Sequence, residues 1–281
     1  LYTLSTSSEF TLANKISRFF TPFVIASLSL GAAGFAATHL LAEQYQQRLV
    51  REQLQEAANK ANLQLDSEIA KFKQVPAILS HDPRILGYFS EQTSAQQLNL
   101  LLEDWANQSL ADTIYIHDDS GTVVASSNYQ DPKTFVGENF AFRPYFTQAI
   151  NGLSSQYVGL GARSNVRGYF LSSALYVKQE IVGVLTVKVS LENIEEILTS
   201  DGFDIVVLDK NQVVFLSSQP QWLYHSLQPL TPTQQQQIAE QRQYGLDKIT
   251  LIDDFLNLPQ ASTALPSQKM SQMGAFNIYP A

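Results

Sequence analysis

The sequence contains no cysteine. That excludes a disulfide framework, a thiol nucleophile, an iron–sulfur cluster and a thiolate zinc site. It also suits an oxidising compartment, where a stray thiol is a liability. Histidine is scarce, with 4 residues scattered over 281, so a histidine-based metal centre is not expected. Basic residues are few: 18 Lys and Arg stand against 26 Asp and Glu, a formal net charge of −8. A protein that tracks nucleic-acid phosphates needs the opposite sign, clustered, so no nucleic-acid partner is expected. Charged residues are only 16% of the chain and aromatics 11%, which argues against disorder.

Charge is absent altogether from Phe19 to Leu41, FFTPFVIASLSLGAAGFAATHLL. Its roughly 23 residues suffice to cross a ~30 Å hydrocarbon layer as a helix. Pro22 is expected in the first turn of that helix, where a missing N–H costs little. Lys15 and Arg18 precede the run. The positive-inside rule then puts residues 1–18 in the cytoplasm and residues from about 42 onward outside it. A cleaved signal peptide, with small residues near Gly34–Ala37, and a buried core helix are the competing readings.

Residues 42–75 have no Gly or Pro and predict a stalk helix. Apolar residues recur at Tyr45, Leu49, Ala57, Ala61, Leu65, Ile69 and Phe72, mostly in steps of three or four, which makes one amphipathic stripe. Short helices are expected at 85–89 and 94–109, with Leu98, Leu100, Leu101 and Trp105 as apolar faces. The period then changes to that of strands. Thr113–His117, an Asp118–Gly121 turn and Thr122–Ser126 read as a hairpin. Phe140–Gly152 reads as a helix stopped by glycine. Residues 156–162, 166–177 and 181–190 read as three more strands, the last two joined around Gln179-Glu180. A weaker second cycle follows. Phe203–Ser217 repeats the order apolar strand, Asp, polar turn, Val-Val, Ser-Ser already seen in Ile114–Ser127. A polar helix at 233–242 and strands at 249–252 and 274–278 complete it. Two such units in series point to duplication of one sheet module.

A hydrophobic span, a long stalk and two such modules form a familiar pattern. Phe142-Arg-Pro-Tyr-Phe146 and Arg167-Gly-Tyr-Phe-Leu-Ser-Ser173 lie in the first module. The whole, over residues 15–281, resembles the double Cache (PAS-like, PDC-type) sensor domain of bacterial C4-dicarboxylate sensor histidine kinases of the DctB type. The fold class this implies is α+β. A cytoplasmic N-terminus (1–18), a transmembrane helix (19–41) and a stalk (42–84) precede a membrane-distal ligand-binding module (85–200) and a membrane-proximal module (201–281). The resemblance implies a sensor that binds succinate, fumarate or malate, uses no cofactor and performs no catalysis itself. It also implies a homodimer paired through the stalk. A kinase core beyond this chain would serve a response regulator and a dicarboxylate transporter. No phosphoacceptor histidine motif or glycine-rich nucleotide box is present; Gly159-Leu-Gly161 has Ser164 where a third glycine would be needed.

A C4-dicarboxylate is a dianion and needs two cationic poles. An arginine fork suits one, because two parallel N–H bonds fix orientation as well as charge. Arg143, expected on the helix among the aromatics of FAFRPYF, is that candidate. Lys188 interrupts the apolar strand Val182–Val189 and is the second, with Thr186 on its face. The resemblance assigns the two carboxylates to these two positions. Ser164 and either Ser172 or Ser173 are expected to add hydroxyl donors, the choice depending on hairpin length. Tyr169, Phe140 and Phe142 are expected as walls. The resemblance also implies a Tyr where Phe140 stands, so one ligand donor is missing. Arg167 reads as a loop anchor. The rivals are a double Cache chemoreceptor for another small anion or an amino acid, a membrane-anchored protein-interaction module, and an enzyme using His117, Asp118 and Asp119. An amino-acid site would need a carboxylate for the ammonium.

Overall fold

A computed structural model describes residues 7–191, 205–246, 248–252 and 277–280, with side chains described from residue 25 except at 277–280. The chain divides into two compact units, Leu1–Gln53 and Leu54–Ala281. Helix α1, Ser7–Ala70, begins in the first and ends in the second. In the first unit Ile25, Leu28, Leu30, Phe35, Leu40 and Leu41 are all exposed. An apolar helical surface with no protein over it is what a membrane-spanning segment presents, not a core helix. Pro22 lies in the interior of α1 rather than at its start, because the helix already begins at Ser7. Membrane helices tolerate proline better than soluble ones do.

In the second unit the stripe of α1 is buried from Leu54 through Ala57, Ala61, Leu65 and Ile69, and Phe72 continues it beyond the helix end. Tyr45 is exposed. The helix stops at Ala70, short of the expected residue 75; α2 (Val75–Leu79) restarts with Pro76 in its first turn. Helices α3 (Pro83–Tyr88) and α4 (Ala95–Ser109) follow. A capping box of Ser94 and Gln97 opens α4, and Leu98, Leu102 and Ala106 bury one face, whereas Leu100 is exposed.

The first sheet is antiparallel and has the order β2-β1-β5-β4-β3. Its strands are β1 (Thr113–Asp118), β2 (Val123–Ser126), β3 (Ser155–Leu160), β4 (Arg167–Val177) and β5 (Glu180–Ser190). Helix α5, Pro144–Ala149, packs against it. It is shorter than the expected 140–152, because Arg143 is its N-cap with extended φ −83° and ψ 135°. One sheet face carries Ile114, Ile116, Leu171, Leu185 and Val187 and joins α1–α4 in the main core. The other carries Tyr115, Phe170, Tyr157 and Val184 under Phe135, Phe140, Tyr145 and Phe146.

The second module holds β6 (Ile205–Leu208), β7 (Val214–Ser217), β8 (His225–Ser226), α6 (Pro232–Glu240), β9 (Thr250–Leu251) and β10 (Asn277–Pro280). Residues 274–276 of an expected strand lie outside the described residues. The β6–β7 hairpin repeats the Asp and Ser caps of β1–β2. Asp118 Oδ1 accepts from Ser120 N and Thr122 N, both at 2.9 Å; Asp209 Oδ1 accepts from Asn211 N at 2.8 Å and Val213 N at 2.9 Å. Ser127 Oγ accepts from Ile114 N, as Ser218 Oγ does from Ile205 N, each at 3.0 Å. Both hairpins carry a register shift at the same place. Gly121 (φ 87°) has Gln212 (φ 61°) as its counterpart. The repetition of local geometry supports the duplication read from the sequence.

Candidate functional site

Strand alternation decides which predicted residues meet. Lys188 lies opposite Thr113 on one side and Phe170 on the other, and Thr186 lies opposite Tyr115 and Ser172. These side chains share the face under Phe140 and α5. Tyr169 and Ser173 have the other parity and point to the opposite face. Tyr169 is buried in the main core, donating to Gln156 Oε1 at 2.6 Å, so neither it nor Ser173 joins the site. The choice of Ser172 over Ser173 follows from the hairpin. Its two-residue turn is Lys178-Gln179, both with positive φ, and a bulge between Leu175 and Tyr176 then shifts the register by one.

Arg143 is 1% exposed. Its Nη2 donates to the Leu160 carbonyl at 2.6 Å, and its Nη1 to the Arg242 carbonyl at 3.1 Å and to Tyr157 Oη at 3.3 Å. The guanidinium also lies 5.4 Å from the Phe142 ring centre and 5.9 Å from that of Tyr157. Every acceptor is neutral: among the described residues no carboxylate pairs with Arg143. Burying a cation without a charged partner costs several kcal/mol, which makes Arg143 a candidate anion-binding group.

Lys188 is also 1% exposed, and its ammonium meets Asp112 Oδ2 at 2.5 Å. Asp112 sits between α4 and β1 and its side chain is 32% exposed. It was not singled out by the sequence. An Asp ahead of a strand reads as a turn residue, and only the register reveals that Thr113 and Lys188 are neighbours.

Two glycines make room for the cations. Gly159 and Gly168 are directly paired across β3 and β4 on this face. A methyl at Gly168 would lie 3.0 Å from Lys188 Cε. One at Gly159 would lie 2.8 Å from Tyr157 Cε1, 3.1 Å from the Gln243 carbonyl and 3.3 Å from Arg143 Nη1. Arg143 and Lys188 thus lie over adjacent positions of one surface. Gly159→Ala, which presses on backbone, is expected to cost about 1–3 kcal/mol of stability. Gly168→Ala, which presses on a flexible lysine stem, is expected to cost less. Thermal unfolding checks the order, and equal losses would contradict it.

A polar seam runs beside the cations. His117 is fully buried, and burial lowers its pKa to about 4, so the ring is neutral near pH 7. Its Nδ1 faces the Gly121 carbonyl at 3.2 Å, which only accepts, so Nδ1 carries the proton. Nε2 must then accept from Thr186 Oγ1 at 3.3 Å, and Thr186 in turn accepts from Ser172 Oγ at 2.9 Å. In this structure both hydroxyl protons are engaged inside this chain of bonds, which puts Ser172, the expected donor, opposite Thr186. Tyr115 donates to Tyr145 Oη at 3.0 Å. Burial holds the Tyr115, Tyr145 and Tyr157 phenols above their usual pKa, that of Tyr157 at about 12. Ser164 accepts from Val166 N at 3.3 Å within its own loop and makes no contact with the other candidates among the bonds described. Phe140 is buried against Tyr115, His117 and Phe142. Arg167 donates to Tyr224 Oη at 3.4 Å, an anchoring contact to the second module.

A five-stranded antiparallel module and a smaller second module thus follow a helix long and apolar enough to cross a membrane. Residues 47–257 match the family described as the double sensory domain of two-component sensor kinases (dCache_3). The C4-dicarboxylate transport sensor protein DctB of Pseudomonas aeruginosa is 33% identical over 205 residues, covering 70% of this chain and 33% of that protein. The protein of the same name from Rhizobium meliloti is 29% identical over 246 residues, covering 85% of this chain and 39% of that protein. The chain therefore spans a third to two fifths of these relatives' length. The crystal structure of the V. cholerae histidine kinase DctB sensor domain aligns with a TM-score of 0.69 and 32% identity, covering 74% of this chain and 81% of that one. The chain belongs to this family, the double Cache sensory domains of two-component sensor kinases, and its likeness is to the DctB type. It is a sensory region of an inner-membrane protein, with its domain outside the cytoplasm.

Proposed function

We propose that this chain binds C4-dicarboxylates on the Arg143–Lys188 face of its first module and signals to a kinase core through α1. The carrying observation is the pair of buried cations over Gly159 and Gly168, one of them with only neutral partners. One carboxylate takes the Arg143 fork and the other the Lys188 ammonium. Phe140 and Phe142 wall the short apolar waist. Arg143 also binds the Arg242 carbonyl, so a ligand that pulls on the guanidinium acts on the second module as well. To move a two-state population from 1:99 to 99:1, a ligand must prefer one state by roughly 10⁴-fold. Two desolvated charge pairs are of that order. Residues 85–200 form the membrane-distal module in this reading, 201–281 the proximal one, and the stalk pairs two copies.

Titration calorimetry of the 281-residue chain in lipid nanodiscs tests this, with succinate, fumarate, malate and aspartate. The expected result is binding of the diacids at about micromolar Kd, near −8 kcal/mol, and weaker binding of aspartate. No heat from a folded sample with any diacid would overturn the reading. A second reading, an amino-acid sensor, has one observation in its favour. Asp112 supplies the carboxylate that an ammonium group would need. Aspartate binding more tightly than succinate would support it.

A further inference from the structure

We propose that Asp112 is a built-in competitor for the ligand, a carboxylate that holds Lys188 until a diacid displaces it. This rests on the dicarboxylate reading above. Asp112 is the one partner of the Lys188 ammonium among the described residues, at 2.5 Å. The two ends of the pair are unlike. Lys188 is buried on the sheet face, its stem packed over Gly168, and has no route to water without leaving the face. Asp112 is about one third exposed on the turn after α4, where Leu110 has already taken a left-handed conformation with φ 61°. Asp112 also accepts a longer bond from Thr113 Oγ1, at 3.2 Å. Asp112 can therefore leave into solvent while Lys188 cannot.

The charge count has a consequence for specificity. Arg143, Lys188 and Asp112 sum to one positive charge, and His117 and the three tyrosines add none near neutral pH. With Asp112 turned out to water the face carries two positive charges and matches a dianion. A monocarboxylate can satisfy Arg143 but gains nothing at Lys188 that Asp112 does not already provide. Asp112 thus sets a threshold that a second ligand carboxylate must exceed. Displacement also frees the α4–β1 turn, which ties binding to a movement at the edge of the helical layer.

The test is Asp112→Asn in the full chain in nanodiscs, titrated with succinate, butyrate and aspartate. Asparagine keeps the shape and an accepting oxygen but removes the charge. The expected result is a succinate Kd roughly tenfold or more tighter than wild type, because a charge-assisted bond no longer has to be broken. Butyrate binding should become measurable where the wild type binds it weakly. Ligand-induced thermal stabilisation by succinate, larger in the variant, gives the same answer even where the variant is less stable without ligand. Unchanged or weaker succinate binding in Asp112→Asn, beside a wild type that binds, overturns the inference and leaves the dicarboxylate reading standing. Loss of aspartate binding alone, with succinate unchanged, overturns it in favour of an ammonium site. A wild type that binds no diacid overturns both.

Discussion

Lys188→Met is expected to abolish diacid binding while leaving thermal stability unchanged or raised. Arg143→Lys is expected to lose binding and stability together. The difference follows from what each cation holds. Lys188 pays for its burial with a single ion pair to a partially exposed aspartate. Replacing a buried pair by an apolar chain of similar volume is often neutral or stabilising, and Asp112 has solvent to turn to. Arg143 instead satisfies the Leu160 and Arg242 carbonyls and Tyr157 Oη. A lysine lacks the fork that reaches all three, and each buried acceptor left without a donor costs about 1–3 kcal/mol. Loss of the bidentate carboxylate contact should weaken binding by at least about a hundredfold. Calorimetric titration beside thermal unfolding of both variants checks the pair. A Lys188→Met protein that binds succinate as well as the wild type would remove the second pole.

The stability of the domain should fall as the pH drops from 6.5 towards 4, and His117→Gln should flatten that slope. In the unfolded chain the imidazole takes a proton near 6.5; in the folded chain burial delays this to about 4. Above 6.5 both states are neutral at this residue and its contribution is fully present. Between the two values the unfolded chain binds the proton first, so the folded state loses up to about 3 kcal/mol. Protonation would also reverse the bonds. Nε2 would become a donor to Thr186, which would then have to donate to Ser172. Asp209 works in the opposite direction, because burial raises its pKa and the folded state takes up its proton early. The readout is therefore the difference between wild type and His117→Gln in denaturant titrations at pH 7, 5.5 and 4.5. Parallel curves would contradict the assignment.

Much of the first sheet was legible in the sequence because its alternation is clear and its turns are marked. Asp118 and Gly121 announce one hairpin, and the same Asp-led pattern at Asp209 announces its copy. Arg143 and Lys188 were legible as cations in apolar settings. Register was not. The turn at Lys178-Gln179 and the bulge after Leu175 decide that Ser172 meets Thr186 and that Tyr169 and Ser173 turn to the helical layer. A single-residue slip exchanges the two faces, and nothing in the local sequence marks the bulge. The role of Asp112 is hidden for a related reason, since its partner lies on a strand far along the chain. His117 adjoins the acidic turn in sequence, whereas its bonds run across the sheet to Thr186.

The most direct test of the central claim is a structure of the chain determined with succinate. The account predicts one carboxylate on the Arg143 guanidinium and the other on the Lys188 ammonium, with Asp112 turned away to solvent. Succinate found elsewhere, with Lys188 still paired to Asp112, would contradict it.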